Sequence, residues 1–276
     1  QGYSSAASDV YKRQHYTLRD WIDVSNLCVI GNIAYYWCLI ECIQNAGVPV
    51  AGMAMSAVPV LVAAVSNIRD KKKGTALAWS RLVPGLLLIV CGFALASMTE
   101  FEMVVRASAD GGVKFWYGVM MGVVALLLWT WYPIRNADWL LAHPSRSPRA
   151  WSTAQGLTTF PFAVVMYLFF WELEPDGTPL LGDDPTWFVF VMVFSGLMGS
   201  WVGIVFWNAM SQRLPTALAG QMIVFETIFA VIYAHVLRMQ WPAWNMLVGM
   251  ALLLAGVTLS LKVFQAAKAK RGEIGV

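Results

Sequence analysis

The sequence predicts an all-α fold, a polytopic bundle of membrane-spanning helices, and three observations support this. Hydrophobic residues make up 58% of the chain and charged residues 13%, against roughly 45–50% and about 25% in soluble domains. Apolar runs of about 20 residues recur along the chain, and each can cross a ~30 Å hydrocarbon core as a helix. The runs lack the period-two alternation of barrel strands, so helices must satisfy their backbone groups in lipid.

Eight runs are predicted to be spans, and the basic residues between them predict their orientation. The runs lie at residues 24–44, 48–68, 76–98, 116–134, 153–171, 187–208, 215–237 and 242–263. If the loop "RDKKKG" is cytoplasmic, alternation places twelve basic residues on that side and three on the other, which fits the positive-inside rule. The twelve are Arg69, Lys71, Lys72, Lys73, Arg135, Arg146, Arg149, Arg213, Lys262, Lys268, Lys270 and Arg271, against Arg106, Lys114 and Arg238. The C-terminus is therefore predicted to be cytoplasmic.

The same charge pattern argues against other classes of partner. Topology alone explains the basic loops, so nucleic acid is not an expected partner. The four cysteines, Cys28, Cys38, Cys42 and Cys91, lie inside apolar runs without metal-ligand spacing and are predicted to be packing residues. No G-x4-G-K-[ST] loop appears in the sequence, so neither a metal nor a nucleotide cofactor is predicted.

The chain resembles itself at a fixed offset. A shift of 168 residues aligns Gly31 with Gly199, Gln44 with Gln212, Ala51 with Ala219 and Gly52 with Gly220. A shift of 164 aligns "GLLLIVCG" with "GMALLLAG", so Gly85 and Gly92 match Gly249 and Gly256. The Gly-x6-Gly spacing places both glycines of each copy on nearly one helix face, where backbones can approach closely. The first three spans therefore repeat as the last three.

The copies begin five spans apart, an odd number, so they are predicted to have opposite orientation in the membrane. Inverted repeats are typical of secondary transporters. The predicted organisation is a partial first repeat at 15–98, a second repeat at 116–263 and a cytoplasmic tail at 264–276. Residues 1–14 lack apolar periodicity and are predicted to be non-native and adaptor-derived. The unmatched fourth and fifth spans imply two more spans upstream, hence ten in the intact protein.

Two segments resemble a known family. "SQRLPTALAGQMIVFETIFAVIYAHVLRMQWPAWNMLVGMALLLAGVTLSL" is similar to the last two helices of EamA-type members of the drug/metabolite transporter superfamily. "IECIQNAGVPVAGMAMSAVPVLVAAVSN" resembles their third and fourth helices. The resemblance implies ten helices in two inverted five-helix repeats. It departs from the family's frequent Glu-Pro pair, because Thr227 follows Glu226 here.

Glu226 stands in the middle of the span 215–237, where an acidic group costs roughly 2.5–3.5 kcal/mol. Either the carboxylate faces a hydrated cavity and touches substrate, or it is protonated and bonds a neighbouring helix. In a cavity that opens to alternate sides, Glu226 could also exchange protons. Met222, Phe229 and Tyr233 share its helix face and are predicted to line the same cavity.

Other polar and aromatic residues are predicted to join that cavity: Asn32, Tyr35, Tyr36, Trp201, Asn208 and Trp131. The first three form a stripe in the first span, and packing is the alternative for the tyrosines. Trp201 and Asn208 are seven residues apart on one face, although Asn208 could instead lie at the cytoplasmic boundary. Trp131, together with Trp129 and Tyr132, belongs either to an aromatic belt or to a gate.

The sequence thus predicts a secondary transporter of the inner or plasma membrane that moves a small polar or amphipathic metabolite by alternating access. Its partners are the bilayer, a small-molecule substrate and, if coupling exists, protons. One alternative is a membrane-embedded acyl or lipid transferase, which would need clustered His, Asp or Cys, whereas the three histidines are scattered. Another is a non-transporting membrane subunit. The substrate, direction, coupling ion and oligomeric state are left open.

Overall fold

The computed structural model describes residues 16–72, 76–96, 98, 104–106, 108, 112–172, 179–239 and 241–270. All the secondary-structure elements of these residues are helices, with no strand among them. This confirms the all-α prediction. The predicted adaptor-derived segment, residues 1–14, lies outside the described residues.

Twelve α-helices and two π-helical segments make up the described chain. The α-helices are α1 (Leu18–Cys28), α2 (Tyr35–Ala46), α3 (Val48–Ser56), α4 (Val58–Lys72), α5 (Trp79–Ala96), α6 (Gly112–Ala142), α7 (Pro148–Glu172), α8 (Pro185–Ser195), α9 (Gly203–Ser211), α10 (Thr216–Gln221), α11 (Ile223–Arg238) and α12 (Trp244–Lys270). The first π-helical segment, Val29–Ala34, joins α1 to α2, and the second, Gly196–Val202, joins α8 to α9. Single π turns inside α-helices occur often at functional sites.

Six continuous helical stretches of the described chain are long and apolar enough to cross a membrane. They are Leu18–Ala46, Val48–Lys71, Trp79–Ala96, Gly112–Ala142, Pro185–Ser211 and Trp244–Ala267. The other two predicted spans are helical as well. Residues 153–171 lie within α7, and residues 215–237 are divided between α10 and α11 at Met222, whose N–H bonds the Ala219 carbonyl three residues back at 3.1 Å. Such a bond tightens the turn and interrupts the α-helix.

Local side-chain bonds explain where two of the helices begin. At α1, the Asp20 N–H donates to Thr17 Oγ1 at 3.2 Å and the Thr17 N–H donates to Asp20 Oδ2 at 2.8 Å, a capping box. At α8, Asp184 Oδ1 accepts from the Trp187 N–H at 3.0 Å, and Pro185 occupies the first turn.

The connection predicted at 135–152 is much shorter than expected. Helix α6 continues to Ala142 and α7 begins at Pro148, which leaves residues 143–147 between them. Polar residues that the hydropathy pattern assigns to a loop are therefore helical, because a helix extends past its apolar stretch when its polar side chains find partners.

The chain divides into two compact units. The first unit contains residues 1–34 and 135–213, and the second contains residues 35–134 and 214–276. In the first unit, α7 contacts α1, both π-helical segments and α9. In the second unit, the main helix pair is α5 with α12.

Glycines bring α5 and α12 together, as their spacing predicts. A Cβ on Gly92 would lie 2.8 Å from the Gly249 carbonyl oxygen, and a Cβ on Gly256 would lie 2.7 Å from the Gly85 carbonyl oxygen. Real Cβ atoms do not approach backbone oxygens so closely, so only glycine allows this contact. A buried apolar cluster that includes Ile89 and Leu253 lies beside these glycines. The two Gly-x6-Gly copies therefore pack against each other.

Candidate functional site

Glu226 lies in the first turn of α11, one helical turn after the break at Met222. The span 215–237 is divided at Met222, so the carboxylate in the middle of the span also sits near a helix N-terminus. Such a position stabilises a carboxylate by about 0.3–1 kcal/mol, which offsets only part of the roughly 2.5–3.5 kcal/mol cost at a bilayer centre. The side chain is exposed and, among the described residues, has no hydrogen-bond or ion-pair partner.

Tyr35 lies in the neighbourhood of Glu226. Its ring is buried, with 7% of the residue exposed, and its hydroxyl donates to Met55 Sδ at 3.6 Å. Ile223, one turn before Glu226, packs in an apolar cluster that also contains Met55 and Trp129. Side chains from α2, α3, α6 and α11 therefore converge at this point of the second unit.

Tyr35 belongs to a chain of aromatic ring contacts. The Tyr36 and Tyr35 ring centroids are 5.0 Å apart, and Tyr35 stacks on Trp129 at 4.5 Å with an interplanar angle of 22°. Trp129 in turn stacks on Tyr132 at 5.3 Å and 4°. Trp131, which was predicted with Trp129 and Tyr132 to belong to an aromatic belt or a gate, is half-buried. The stacking ring is instead Trp129, two residues earlier, because the rotation of α6 directs that residue towards α2.

Two aromatic residues follow Glu226 on its own helix face. Phe229 and Tyr233 are exposed, and their rings stack at 6.0 Å and 25°. Met222, which is also predicted to line the cavity, is partly buried and packs against the apolar cluster around Val224 and Leu253. We define the Glu226 site as Glu226, Tyr35, Tyr36, Trp129 and Phe229.

A second polar cluster lies in the first unit and is centred on Asn136, which is fully buried. The Asn136 Oδ1 atom accepts hydrogen bonds from Trp151 Nε1 and Gln155 Nε2, both at 2.9 Å. Its Nδ2 atom donates to Asn208 Oδ1 at 2.7 Å, and Asn208 Nδ2 donates to Ser152 Oγ at 2.8 Å. We call these five residues the Asn136 network. It joins the end of α6 to α7 and α9.

Three predicted cavity residues thus belong to the first unit and bond α7 or the Asn136 network. Asn208 is a buried member of that network. Asn32, in the first π-helical segment, donates to Thr159 Oγ1 at 3.1 Å, and Trp201, in the second, donates to Thr153 Oγ1 at 3.2 Å. Each side chain therefore has an interhelical partner, whereas Tyr35 and Tyr36 belong to the Glu226 site.

Sequence reasoning missed most of the Asn136 network. Asn136, Trp151 and Ser152 fall in the segment that hydropathy assigns to a loop, so their polarity needed no explanation there. One signal was available. Trp151 and Gln155 are four residues apart, which places both on one helix face, and "WSTAQ" interrupts an otherwise apolar helix with polar residues.

Asp20 connects the start of α1 to the connection between α6 and α7. Its Oδ1 atom accepts from Trp139 Nε1 at 3.2 Å, and its Oδ2 atom lies 4.0 Å from an Arg146 guanidinium nitrogen. The Arg146 guanidinium also lies over the Tyr16 ring, 5.3 Å from its centroid. The start of α1 and residues 143–147 therefore share one end of the first unit, as the predicted topology requires.

Comparison with known proteins places the chain among membrane proteins. It is 35% identical over 249 residues to the inner membrane protein YtfF of Escherichia coli (strain K12), a match that covers 88% of this chain and 77% of the relative. No family model matches the chain. The chain is also similar to a protein crystal structure at 17% sequence identity, with a TM-score of 0.59. The match covers 90% of this chain and 79% of the chain in that crystal structure. At that identity the likeness concerns the fold alone.

Proposed function

The chain belongs to the family of the E. coli inner membrane protein YtfF, and from this premise we propose that it is a secondary transporter. It moves a small polar or amphipathic molecule across the inner membrane by alternating access, with its C-terminus in the cytoplasm. The proposal depends mainly on the surroundings of Glu226. This exposed carboxylate lies near a helix break in an apolar segment and has no protein partner among the described residues. An ionisable group in that setting needs a ligand, a proton or water.

The positions of the helix breaks support the same function. Substrate sites of secondary transporters are commonly formed by discontinuous helices at corresponding positions of inverted repeats. In the second unit, the predicted spans 48–68 and 215–237 are both interrupted, at Ala57 and at Met222. Adding the repeat offset of 168 to residue 57 gives 225, three residues from the second break. Glu226 lies one helical turn after that break.

The two π-helical segments support the internal repeat independently. Adding 168 to the bounds of Val29–Ala34 gives 197–202, which falls within the second segment, Gly196–Val202. A π turn is rare and arises from local backbone geometry rather than from composition. Two of them at one offset favour two copies of one ancestral unit, which is the organisation expected of an alternating-access carrier.

The test is a flux measurement on Glu226→Gln, which keeps the side chain's size while removing its charge. Purified protein is reconstituted into vesicles loaded with labelled amines, amino acids and organic acids, and efflux is compared with that from protein-free vesicles. We expect at least one compound class to leave faster with the wild type and most of that excess to vanish in Glu226→Gln.

Glu41→Gln is the matched control. Glu41 has protein partners, because Asn45 Nδ2 of its own helix lies 3.1 Å from its Oε2 atom and the Tyr117 side chain of α6 also bonds it, so this variant should keep its flux. Thermal stability of both variants excludes misfolding as the cause. No excess efflux of any class, or full efflux from Glu226→Gln, would overturn the proposed function.

A further inference from the structure

A buried carboxylate joins the first turn of α1 to the end of α6 and to the connection that follows it. Asp20 Oδ1 accepts from Trp139 Nε1 at 3.2 Å, and Asp20 Oδ2 lies 4.0 Å from an Arg146 guanidinium nitrogen. The side chains of Asp20 and Arg146 are only 8% and 17% exposed. A buried charge is costly unless it is paired, so each of these charges stabilises the other while water is excluded.

Aromatic rings enclose this charged pair. The Arg146 guanidinium lies over the Tyr16 ring, 5.3 Å from its centroid, a cation–π contact. The Tyr16 ring also lies 6.2 Å from the Trp139 ring and 5.9 Å from the Trp151 ring, and these two tryptophans stack at 3.5 Å. Both tryptophans are buried. We call Tyr16, Asp20, Trp139, Arg146 and Trp151 the latch.

The latch joins the two predicted repeats. Tyr16 and Asp20 belong to the first repeat, and the other three residues belong to the second. In transporters built from inverted repeats, access alternates when one repeat or bundle moves against the other. A contact between the repeats at one end of the molecule must therefore break when that end opens.

The interface between α1 and α7 behind the latch contains polar groups on both sides. The buried face of α1 continues from Asp20 to Cys28, whose thiol donates to the Gln155 carbonyl oxygen of α7 at 3.3 Å. About one turn further, Asn32 Nδ2 donates to Thr159 Oγ1 at 3.1 Å. These groups exchange protein partners for water when the helices separate, which keeps the net cost of opening modest.

We propose that the latch is the cytoplasmic gate of the carrier: it closes the α1–α7 interface in this structure and breaks when that interface opens to the cytoplasm. The side follows from the charge-based topology. The inference rests on the proposed function for its part in transport, whereas the opening itself is measurable separately. Charged groups suit this role, because Asp20 and Arg146 regain hydration when they separate. A purely apolar contact would instead expose its surface to water.

Native cysteines report the opening. Cys28 is 0% exposed and lies eight residues after Asp20, about 12 Å along the helix, so a charged methanethiosulfonate reaches it only through water. Cys42 is also 0% exposed but belongs to the second unit, which makes it the internal reference. Protein with Cys38→Ala and Cys91→Ala is treated in inverted and in right-side-out membrane vesicles. Mass spectrometry then quantifies the labelled peptides.

Removing the Arg146 charge should open the latch more often. Arg146→Gln loses one ion pair and one cation–π contact, so Cys28 should be labelled roughly three- to hundredfold faster in inverted vesicles. Labelling of Cys42 should not change. Asp20→Asn keeps a hydrogen-bond acceptor and loses only the ion pair, so its increase should be smaller. The two increases should not multiply in the double variant, because both substitutions remove the same ion pair.

The matched control is Arg135→Gln. Arg135 pairs with Asp138 of its own helix at 3.7 Å, so both partners belong to one repeat. This variant removes the same charge outside the latch, and Cys28 labelling should stay at the wild-type rate. An increase as large as that of Arg146→Gln would refute the gate.

Labelling also tests whether the interface takes part in transport. The reagent leaves a charged group on Cys28 that prevents closure, so the Glu226-dependent efflux should stop as Cys28 is labelled. Cys28→Ala should keep its efflux in the presence of the reagent. Efflux that continues at its full rate after Cys28 is labelled would refute the gate.

The remaining outcomes separate the gate from the proposed function. Unchanged Cys28 labelling in Arg146→Gln refutes the gate, whatever the efflux. Equal increases at Cys28 and Cys42 would show a general loosening of the fold and refute it as well, as would an increase confined to right-side-out vesicles. A selective increase at Cys28 in inverted vesicles, with no excess efflux of any compound class, would confirm the opening but overturn transport.

Discussion

Replacing Asn136 by alanine tests whether the Asn136 network holds the first unit together. The substitution removes two hydrogen bonds accepted by Oδ1 and one donated by Nδ2. Trp151 Nε1, Gln155 Nε2 and Asn208 Oδ1 then lose this partner while buried. An orphaned buried group costs about 1–3 kcal/mol in soluble proteins, whereas single interhelical bonds in membranes average about 0.6 kcal/mol. For three groups that re-pair only in part, we expect a loss of about 2–5 kcal/mol.

The assay is reversible unfolding in mixed detergent and lipid micelles, followed by tryptophan fluorescence. Trp151 donates directly to Asn136 and its ring stacks on Trp139 at 3.5 Å, so the emission also reports the local structure. The control is Asn45→Ala, because within the described part of the chain Asn45 bonds only the Glu41 backbone oxygen and side chain of its own helix. A loss for Asn136→Ala that is no larger than the control's would refute the reasoning.

Three further predictions concern packing, polarity and topology. Gly92→Val should destabilise the protein by about 1–3 kcal/mol, since its Cβ would meet the Gly249 carbonyl oxygen at 2.8 Å. In the same unfolding assay the control Gly52→Ala should be neutral, because a Cβ there has no other atom within 4 Å. Gln221→Leu should stabilise by about 1 kcal/mol because the buried amide has no partner among the described residues; destabilisation would show that it has one. A reporter fused after Val276 should read out in the cytoplasm, and a periplasmic signal would contradict the charge-based topology.

Composition and periodicity were sufficient for the fold class. Apolar runs of span length can satisfy their backbone only as helices in lipid, so the all-α architecture follows without any knowledge of contacts. The same holds for the α5 and α12 contact, because Gly-x6-Gly spacing removes side chains from one face of each helix and makes close approach possible. The choice of Glu226 as a candidate site residue also follows from the sequence. Inserting a carboxylate into the membrane within an apolar run costs free energy whichever way the helix is rotated.

The sequence by itself determined that the apolar segments are helical, which glycines allow close packing and which carboxylate lacks an obvious reason to be in the membrane. Only the tertiary structure decided what surrounds that carboxylate. It interrupts the helix at Met222, directs Trp129 rather than Trp131 towards Tyr35, and joins Asn136 to Asn208 across 72 residues. The physical reason is that periodicity specifies the faces of one helix, whereas the rotation and depth at which two helices meet depend on contacts between residues far apart in the chain.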